Sequence, residues 1–210
     1  MSVPIQATAL IAFHDRSLTS PDWPSEGTGD GESTHAEVEP WHWVMANHRF
    51  NGLLWAEEDL ARRTLASDTD IAANKRRIDR FNQARNDAVE RIDDLLLQAH
   101  ACVSQHPQAR QSSETAGAMI DRLSILSLKV HHMGLQTRRT DVAEAHRAQA
   151  HDRLSQLQRQ RTDLGACLDR LLQEVASGAG FFRIYRQFKM YNDPTLNPAL
   201  VAEQRSGVGR

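Results

Sequence analysis

Apolar residues recur with a helical period from Trp41 to about Ala176, which predicts long α-helices through this part of the chain. The clearest case is the segment of about 69–105, where the apolar positions fall within one broad arc at ~100° per residue. We expect this arc to face the core of a bundle. Its members are Ile71, Ile78, Phe81, Ala88, Val89, Ile92, Leu95, Leu96 and Ala99.

Residues that cap or break helices divide this region into four long helices joined by short links. The sequence therefore predicts an all-α fold, an antiparallel bundle of about four long helices. The third helix has apolar residues on two sides, so we expect it to be the central one. The expected spans are about 41–66, 69–105, 116–133 and 141–177.

The expected helix ends rest on local chemistry. Asp68 and Thr115 can accept a hydrogen bond from a free backbone N–H, so each is an expected N-cap. Pro107 cannot continue a helix and is expected to end the second one. Gly134 and Gly178 are expected left-handed C-caps of the third and fourth helices.

The two ends of the chain differ from the bundle. Ile5, Ala9, Leu10 and Phe13 predict one short amphipathic helix, and an acidic flexible segment is expected from there to Pro40. An irregular tail is expected after the last long helix. The predicted organisation is a short helix plus acidic segment over 1–40, a helical-bundle domain over 41–200 and a polar tail over 201–210.

Composition gives no support to some classes of function. The 210 residues include 25 Lys and Arg against 27 Asp and Glu, so the near-neutral charge gives no reason to expect nucleic acid. No apolar run reaches the ~18 residues of a membrane span, and the N-terminus lacks a secretion signal. We expect a cytoplasmic protein without membrane insertion. Cys102 and Cys167 lack metal-ligand spacing and are predicted to be buried thiols.

A polar stripe flanks the apolar arc of the second helix, with spacings of three and four residues that place its members on one face. Arg85 lies within the apolar arc itself. Because a buried charge without a partner is very costly, Arg85 must meet an anion, with Asp121 or Glu58 expected. The stripe consists of Lys75, Asp79, Asn82, Asn86, Glu90 and Asp93.

The neighbouring helices repeat this polar pattern. On the third helix, Asp121 and Lys129 accompany apolar residues but are too far apart to pair, so each is expected to face another helix. The first helix carries a polar side of its own, made of His48, Asn51, Trp55, Glu58 or Asp59, and Arg62.

Two explanations of these stripes stay open. One is an ion-pair network that stiffens the bundle and fixes its register without any ligand. The other is a cleft between the first three helices that holds a small anionic molecule. In the cleft, three cations would meet phosphate or carboxylate, and amides and an imidazole would bind hydroxyls. The ligand-binding candidates are His48, Asn51, Lys75, Asp79, Asn82, Arg85, Asn86 and Lys129.

Carboxylates supply a further alternative. Glu90 and Asp93 are three residues apart, as in helical nucleotide pyrophosphohydrolases, where such acids hold magnesium against a diphosphate. Under this alternative the cofactor is Mg²⁺, and its candidate ligands are Glu58, Asp59, Glu90 and Asp93. The candidates for a catalytic base are Glu58, Asp59, Glu90 and Asp121.

Four strings resemble the bacterial domain-of-unknown-function family numbered 4254 in the same order, over roughly 41–200. Where that family has a proline after the threonine of the third string, this chain has Ala116. The strings are HRFNGLLWAEEDLARR, NKRRIDRFNQARNDAVERID, SETAGAMIDRLSILSLKVHH and QFKMYNDPTLNP.

The resemblance implies an all-helical, non-secreted bacterial protein whose genes often lie near those for lipopolysaccharide or other surface-sugar assembly. It implies no activity. Our leading hypothesis is therefore a protein that binds a nucleotide sugar or phosphosugar in the polar cleft. Whether the protein also converts this ligand to a product is left open. The alternatives are a non-enzymatic accessory protein of that pathway, which contacts a protein partner or its own copies, and the magnesium-dependent hydrolase.

Overall fold

The structure is a computed structural model that describes residues 5–24, 39–186 and 195–207. Within these ranges the chain forms six helices and two short strands that pair in parallel. The helices are α1 Ala7–Leu18, α2 Pro40–Ala61, α3 Asp68–Ala99, α4 Ala116–Thr137, α5 Glu144–Ser177 and α6 Pro198–Gly207, and the strands are β1 Arg110–Gln111 and β2 Gly180–Phe181.

The four long helices α2 to α5 form the predicted antiparallel bundle. Short links connect α2 to α3 and α4 to α5, and each pair packs as a helical hairpin. Helix α4 also contacts α1, α2 and α3, which confirms its predicted central position. Its Ile120 and Leu123 side chains are fully buried.

The predicted short N-terminal helix is α1, which packs on α4 and α5. Leu10 is fully buried, and the Ala7 backbone N–H donates to the Asp169 carboxylate at 2.8 Å. Most of the predicted acidic segment falls on residues 25–38, outside the described residues. The predicted irregular tail includes the unpredicted helix α6, and residues 187–194 lie outside the described residues.

The helix N-caps follow side-chain chemistry. Ser67, one residue before the predicted Asp68, caps α3 by accepting from the Asp70 backbone N–H at 3.2 Å. Thr115 caps α4 as predicted, accepting from the Ala118 N–H at 3.1 Å. Gly178 ends α5 with φ of 74°, the predicted left-handed conformation.

Three predicted helix ends are wrong. Helix α2 ends at Ala61, about five residues before its predicted end. Helix α3 ends at Ala99, well before Pro107, because the following link pairs with the segment after α5: the His106 N–H donates to the Gly178 carbonyl at 2.9 Å. Helix α4 continues through Gly134 to Thr137, since glycine also accepts ordinary helical dihedrals. Thus α3 ends before its predicted proline because of hydrogen bonds to a distant segment. Helix α4 continues through its predicted C-cap glycine.

The prediction of buried thiols is also wrong, because Cys102 and Cys167 are both exposed. Cys102 lies in the link after α3, which the sequence assigned to the helix, and Cys167 lies on the outer side of α5.

Buried apolar side chains form two separate clusters. The larger one joins α1, α2, α3, α4 and α5. The smaller one joins α2 and α3 through Leu53, Leu54, Ile78 and Phe81. Along α2, the buried side chains between these clusters are the polar ones of Asn47, His48 and Asn51.

Candidate functional site

A layer of polar side chains lies between the two apolar clusters, contributed by α2 and α4. We call it the polar layer; it consists of Asn47, His48, Asn51, Asp121 and Ser124. All except Asp121 are buried. Because burying polar groups is costly unless they are hydrogen-bonded, the contacts within the layer decide whether it is stable.

Asp121 is the main acceptor of the polar layer. Its Oδ1 accepts from Asn47 Nδ2 at 2.8 Å and from Asn51 Nδ2 at 2.9 Å. Arg85 Nε of α3 lies 3.9 Å from the same oxygen. One carboxylate therefore connects α2, α3 and α4, and Asp121 is one of the two predicted partners of Arg85.

Ser124 connects Asn51, which also donates to Asp121, to the buried imidazole of His48. The Ser124 hydroxyl contacts His48 Nδ1 at 2.7 Å and accepts from Asn51 Nδ2 at 3.0 Å. The His48 ring is fully buried and lies 4.3 Å from the His14 ring of α1, centroid to centroid. On another side it stacks on Trp23 at 5.2 Å.

Burial makes both imidazoles poor bases. It lowers the pKa of His48 to about 4, although the nearby backbone carbonyl of His14 opposes this change. Burial, followed by the neighbouring His48 and Arg161, lowers the pKa of His14 well below its usual value. Both rings are therefore neutral at pH 7, and the contact of His48 Nδ1 with the Ser124 hydroxyl joins α2 to α4.

These pKa values predict a pH-dependent stability. The unfolded His48 binds a proton near pH 6.5 and the folded one near pH 4, so the free energy of unfolding falls as the pH decreases through this range. Between pH 6.5 and pH 5 we expect His48 to contribute a loss of about 2 kcal/mol. Urea unfolding of wild type and His48→Gln at both pH values measures it.

The comparison with His48→Gln is needed because Asp93 changes the free energy of unfolding with pH in the opposite direction. Burial raises the pKa of Asp93 to about 6, so its folded form gains stability as the pH falls. The variant keeps Asp93, so the difference between the two proteins gives the contribution of His48 together with its effect on the pKa of His14. Equal loss of stability in both proteins would contradict the assignment.

A pocket of about 370 Å³ opens beside the polar layer, between α2, α3 and α4. We call it the central pocket. Its volume lies within the range of small-molecule sites. Its lining combines two amides, two acids, two arginines and apolar or aromatic side chains: Asn51, Leu54, Trp55, Glu58, Asp59, Arg62, Asn82, Arg85, Ile125 and Leu128.

Arg85 is the half-buried cation of the central pocket. Its Nη2 donates to Asn86 Oδ1 at 3.2 Å, while its buried Nε has no hydrogen-bond partner among the described residues. The ion pair with Asp121 is long at 3.9 Å. Arg85 therefore keeps hydrogen-bonding capacity that the described part of the chain does not use.

The central pocket brings together some of the predicted residues but not all. Asn51, Asn82 and Arg85 line it, as do the acids Glu58 and Asp59. Asn86 accepts a hydrogen bond from the lining residue Arg85 but does not line the pocket. His48 does not line it either, and it is connected to the lining residue Asn51 through Ser124.

The predicted cations Lys75 and Lys129 lie elsewhere. Lys75 is exposed and pairs with Asp79, which is four residues away on the same helix, so neither contributes to the central pocket. Lys129 is exposed and lines a second pocket beside the first.

The four predicted metal-binding acids are divided between different places. Glu58 and Asp59 line the central pocket, whereas Glu90 pairs with Arg186 at 2.7 Å. The Asp93 Oδ1 accepts from the Gly117 backbone N–H at 2.6 Å at the start of α4. In the parts of the chain that the structure describes, no three acid, histidine or cysteine residues are grouped to hold a metal ion.

Sequence reasoning missed Asn47, His14 and Trp23, which surround the polar layer. Asn47 lies four residues before Asn51, so the same helical spacing that selected Asn51 could have found it. His14 lies four residues after the buried Leu10 on α1. Trp23 carries no periodic signal, since it lies in the segment after α1.

The fold and the site define a helical-bundle protein with a polar pocket between three helices. A family model described as "Protein of unknown function (DUF4254)" matches residues 41–184, and the chain belongs to this family. No curated protein and no solved structure matches the chain. Among the described helices, none is both long enough and apolar enough to cross a membrane.

Proposed function

We propose that this protein binds an anionic small molecule with sugar hydroxyls, a phosphosugar or a nucleotide sugar, in the central pocket. The observation that carries the proposal is the Arg85 guanidinium, which is half-buried in the pocket wall and whose only ion pair among the described residues is a long one of 3.9 Å with Asp121. A phosphate oxygen is the acceptor that such a group favours, because charge-assisted hydrogen bonds are the strong ones.

The remaining lining supports a hydroxyl-rich ligand. Asn51 and Asn82 present amide groups, and Glu58 and Asp59 present carboxylate oxygens that accept from hydroxyls. Trp55 supplies an aromatic wall, which suits the apolar face of a sugar ring. The pocket thus combines one cation with unpaired hydrogen-bonding capacity and several groups that bind neutral oxygens.

Two rival functions use the same residues differently. As an accessory protein, the chain would use the polar layer only to fix helix register, and a protein partner or a second copy would contact its surface. As an enzyme, it would use Glu58 or Asp59 as the base, because Asp121 already accepts two amide hydrogen bonds. Our proposal is binding, and we place it in bacterial, cytoplasmic surface-polysaccharide assembly because the family resemblance implies that setting.

Thermal unfolding tests the proposal. Glucose 1-phosphate, mannose 1-phosphate, UDP-glucose and GDP-mannose are each added over a range of concentrations, and at least one should raise the melting temperature progressively. The Arg85→Ala variant should lose this increase relative to its own ligand-free value. The exposed Arg76 of the same helix does not line the pocket, so Arg76→Ala is the matched control and should respond as wild type does.

The rival accessory function predicts a different result. If no phosphosugar or nucleotide sugar changes the melting temperature of wild type, binding in the central pocket is contradicted. If ligands stabilise Arg85→Ala as much as wild type, the pocket assignment is contradicted even though binding occurs.

A further inference from the structure

A second pocket of about 510 Å³ adjoins the central pocket and lies between α2, α4 and α5. We call it the lateral pocket. Trp55 and Asp59 line both pockets, so the two cavities share one wall. The Trp55 indole stacks on the His132 ring of α4 at 4.4 Å, with an angle of 4° between the planes. This stacked pair forms part of the boundary between the cavities.

The lateral pocket differs from the central pocket in its charge. It has two cations, Lys129 and Arg153, against the single acid Asp59. His132 adds no charge at neutral pH, because burial lowers its pKa from the usual 6.5. In the central pocket two arginines face two acids, and Arg62 already pairs with Glu58 at 3.1 Å. The excess positive charge therefore lies on the lateral side of the shared wall.

The polar groups of the lateral pocket suit a flat heterocycle. Gln136 comes from α4, and Gln156 and Gln160 come from α5. Each side-chain amide offers both a donor and an acceptor, which is what the alternating N–H and C=O edge of a nucleobase requires. The aromatic pair of Trp55 and His132 supplies a stacking surface at the same pocket.

We infer that the two pockets form one elongated site for a nucleotide sugar, with the nucleotide part in the lateral pocket and the sugar in the central pocket. This inference rests on the proposed function and narrows its ligand class. The diphosphate lies at the boundary between the two pockets. Lys129 and Arg153 contact it from the lateral pocket, and Arg85 contacts it from the central pocket. Asp59 accepts a hydrogen bond from a ligand hydroxyl, because a carboxylate disfavours a phosphate at that position.

Calorimetry tests the inference with a nucleotide sugar and its two halves, the sugar phosphate and the nucleoside diphosphate, which have one phosphate in common. The probes are glucose 1-phosphate, UDP and UDP-glucose, followed by the corresponding sets for GDP-mannose and dTDP-glucose. For at least one set, the whole nucleotide sugar should bind about tenfold or more tightly than either half, because the two halves share one site.

Substitutions assign each half to a pocket. Lys129→Ala and Arg153→Ala should each weaken nucleoside diphosphate binding about fivefold or more, since each removes a charge-assisted contact. They should leave sugar phosphate binding unchanged. Asn82→Ala should weaken sugar phosphate binding and leave nucleoside diphosphate binding unchanged. Lys75→Ala and Arg159→Ala are matched controls, because both residues are exposed and line neither pocket.

Failure of this inference is distinguishable from failure of the proposed function. A nucleotide sugar that binds no more tightly than its sugar phosphate would overturn the elongated site and leave the central pocket in place. Unchanged nucleoside diphosphate binding in both Lys129→Ala and Arg153→Ala would also overturn it. Absence of binding for every probe would contradict the proposed function itself.

Discussion

Replacement of Gly117 by alanine should destabilise the fold by about 3 kcal/mol or more, the upper end of the range for overpacked cores. Gly117 is buried where α4 crosses α3, and its N–H donates to the Asp93 carboxylate. A Cβ atom at this position would lie 2.6 Å from the Val89 carbonyl oxygen and 2.9 Å from the Asp93 Cγ. The Val89 oxygen is a backbone atom of α3, and the Asp93 carboxylate is held by its hydrogen bond to Gly117, so neither can move away easily.

Gly134 supplies the control for this substitution on the same helix. A Cβ atom at Gly134 meets nothing within 4 Å, and the residue lies inside α4. Gly134→Ala should therefore stabilise the protein by about 0.5–1 kcal/mol through its helix propensity. Urea unfolding measures both variants, and equal effects of the two substitutions would contradict the close crossing of α3 and α4.

Removal of the Asp121 carboxylate should cost about 2–4 kcal/mol. Asp121→Ala leaves the buried amide of Asn47 without its 2.8 Å acceptor and removes the anion that faces Arg85. Asp121→Asn keeps an acceptor oxygen in the same place, so its loss should be smaller, about 1 kcal/mol.

Asp79 is the matched control for Asp121, since it is an exposed carboxylate whose ion pair with Lys75 lies outside the polar layer. Asp79→Ala should change the free energy of unfolding by less than about 0.5 kcal/mol. If Asp121→Ala is as mild as Asp79→Ala, Asp121 does not hold the layer together.

The fold could be predicted from periodicity, because long amphipathic segments leave few alternatives to a bundle. Thr115 and Gly178 were correct ends, since a side-chain cap and a left-handed glycine act locally. The helix end predicted at Pro107 was wrong because α3 ends earlier, and the following link pairs with the segment after α5. Hydrogen bonds between segments so distant in sequence leave no periodic signal.

The candidate site was predictable where polar residues interrupt or flank an apolar arc. Arg85 and Asp121 were found in this way, because a charge on a core face needs a partner on another helix. Lys75 and Asp79 were included because the polar stripe on α3 is longer than the pocket beside it. The lateral pocket was missed, since Gln156 and Gln160 become meaningful only when the position of α5 against α2 is known.

Ligand binding beside Arg85 in the central pocket is measured most directly by ¹⁵N-edited NMR of the Arg85 Nε–H signal. The protein is titrated with a phosphosugar or nucleotide sugar that stabilises it. We expect a saturable shift of this signal, and of the side-chain amide signals of Asn51 and Asn82, at the concentrations that raise the melting temperature. The exposed Arg76 Nε–H signal should not move. Saturable binding that leaves the Arg85, Asn51 and Asn82 signals unchanged would contradict the account.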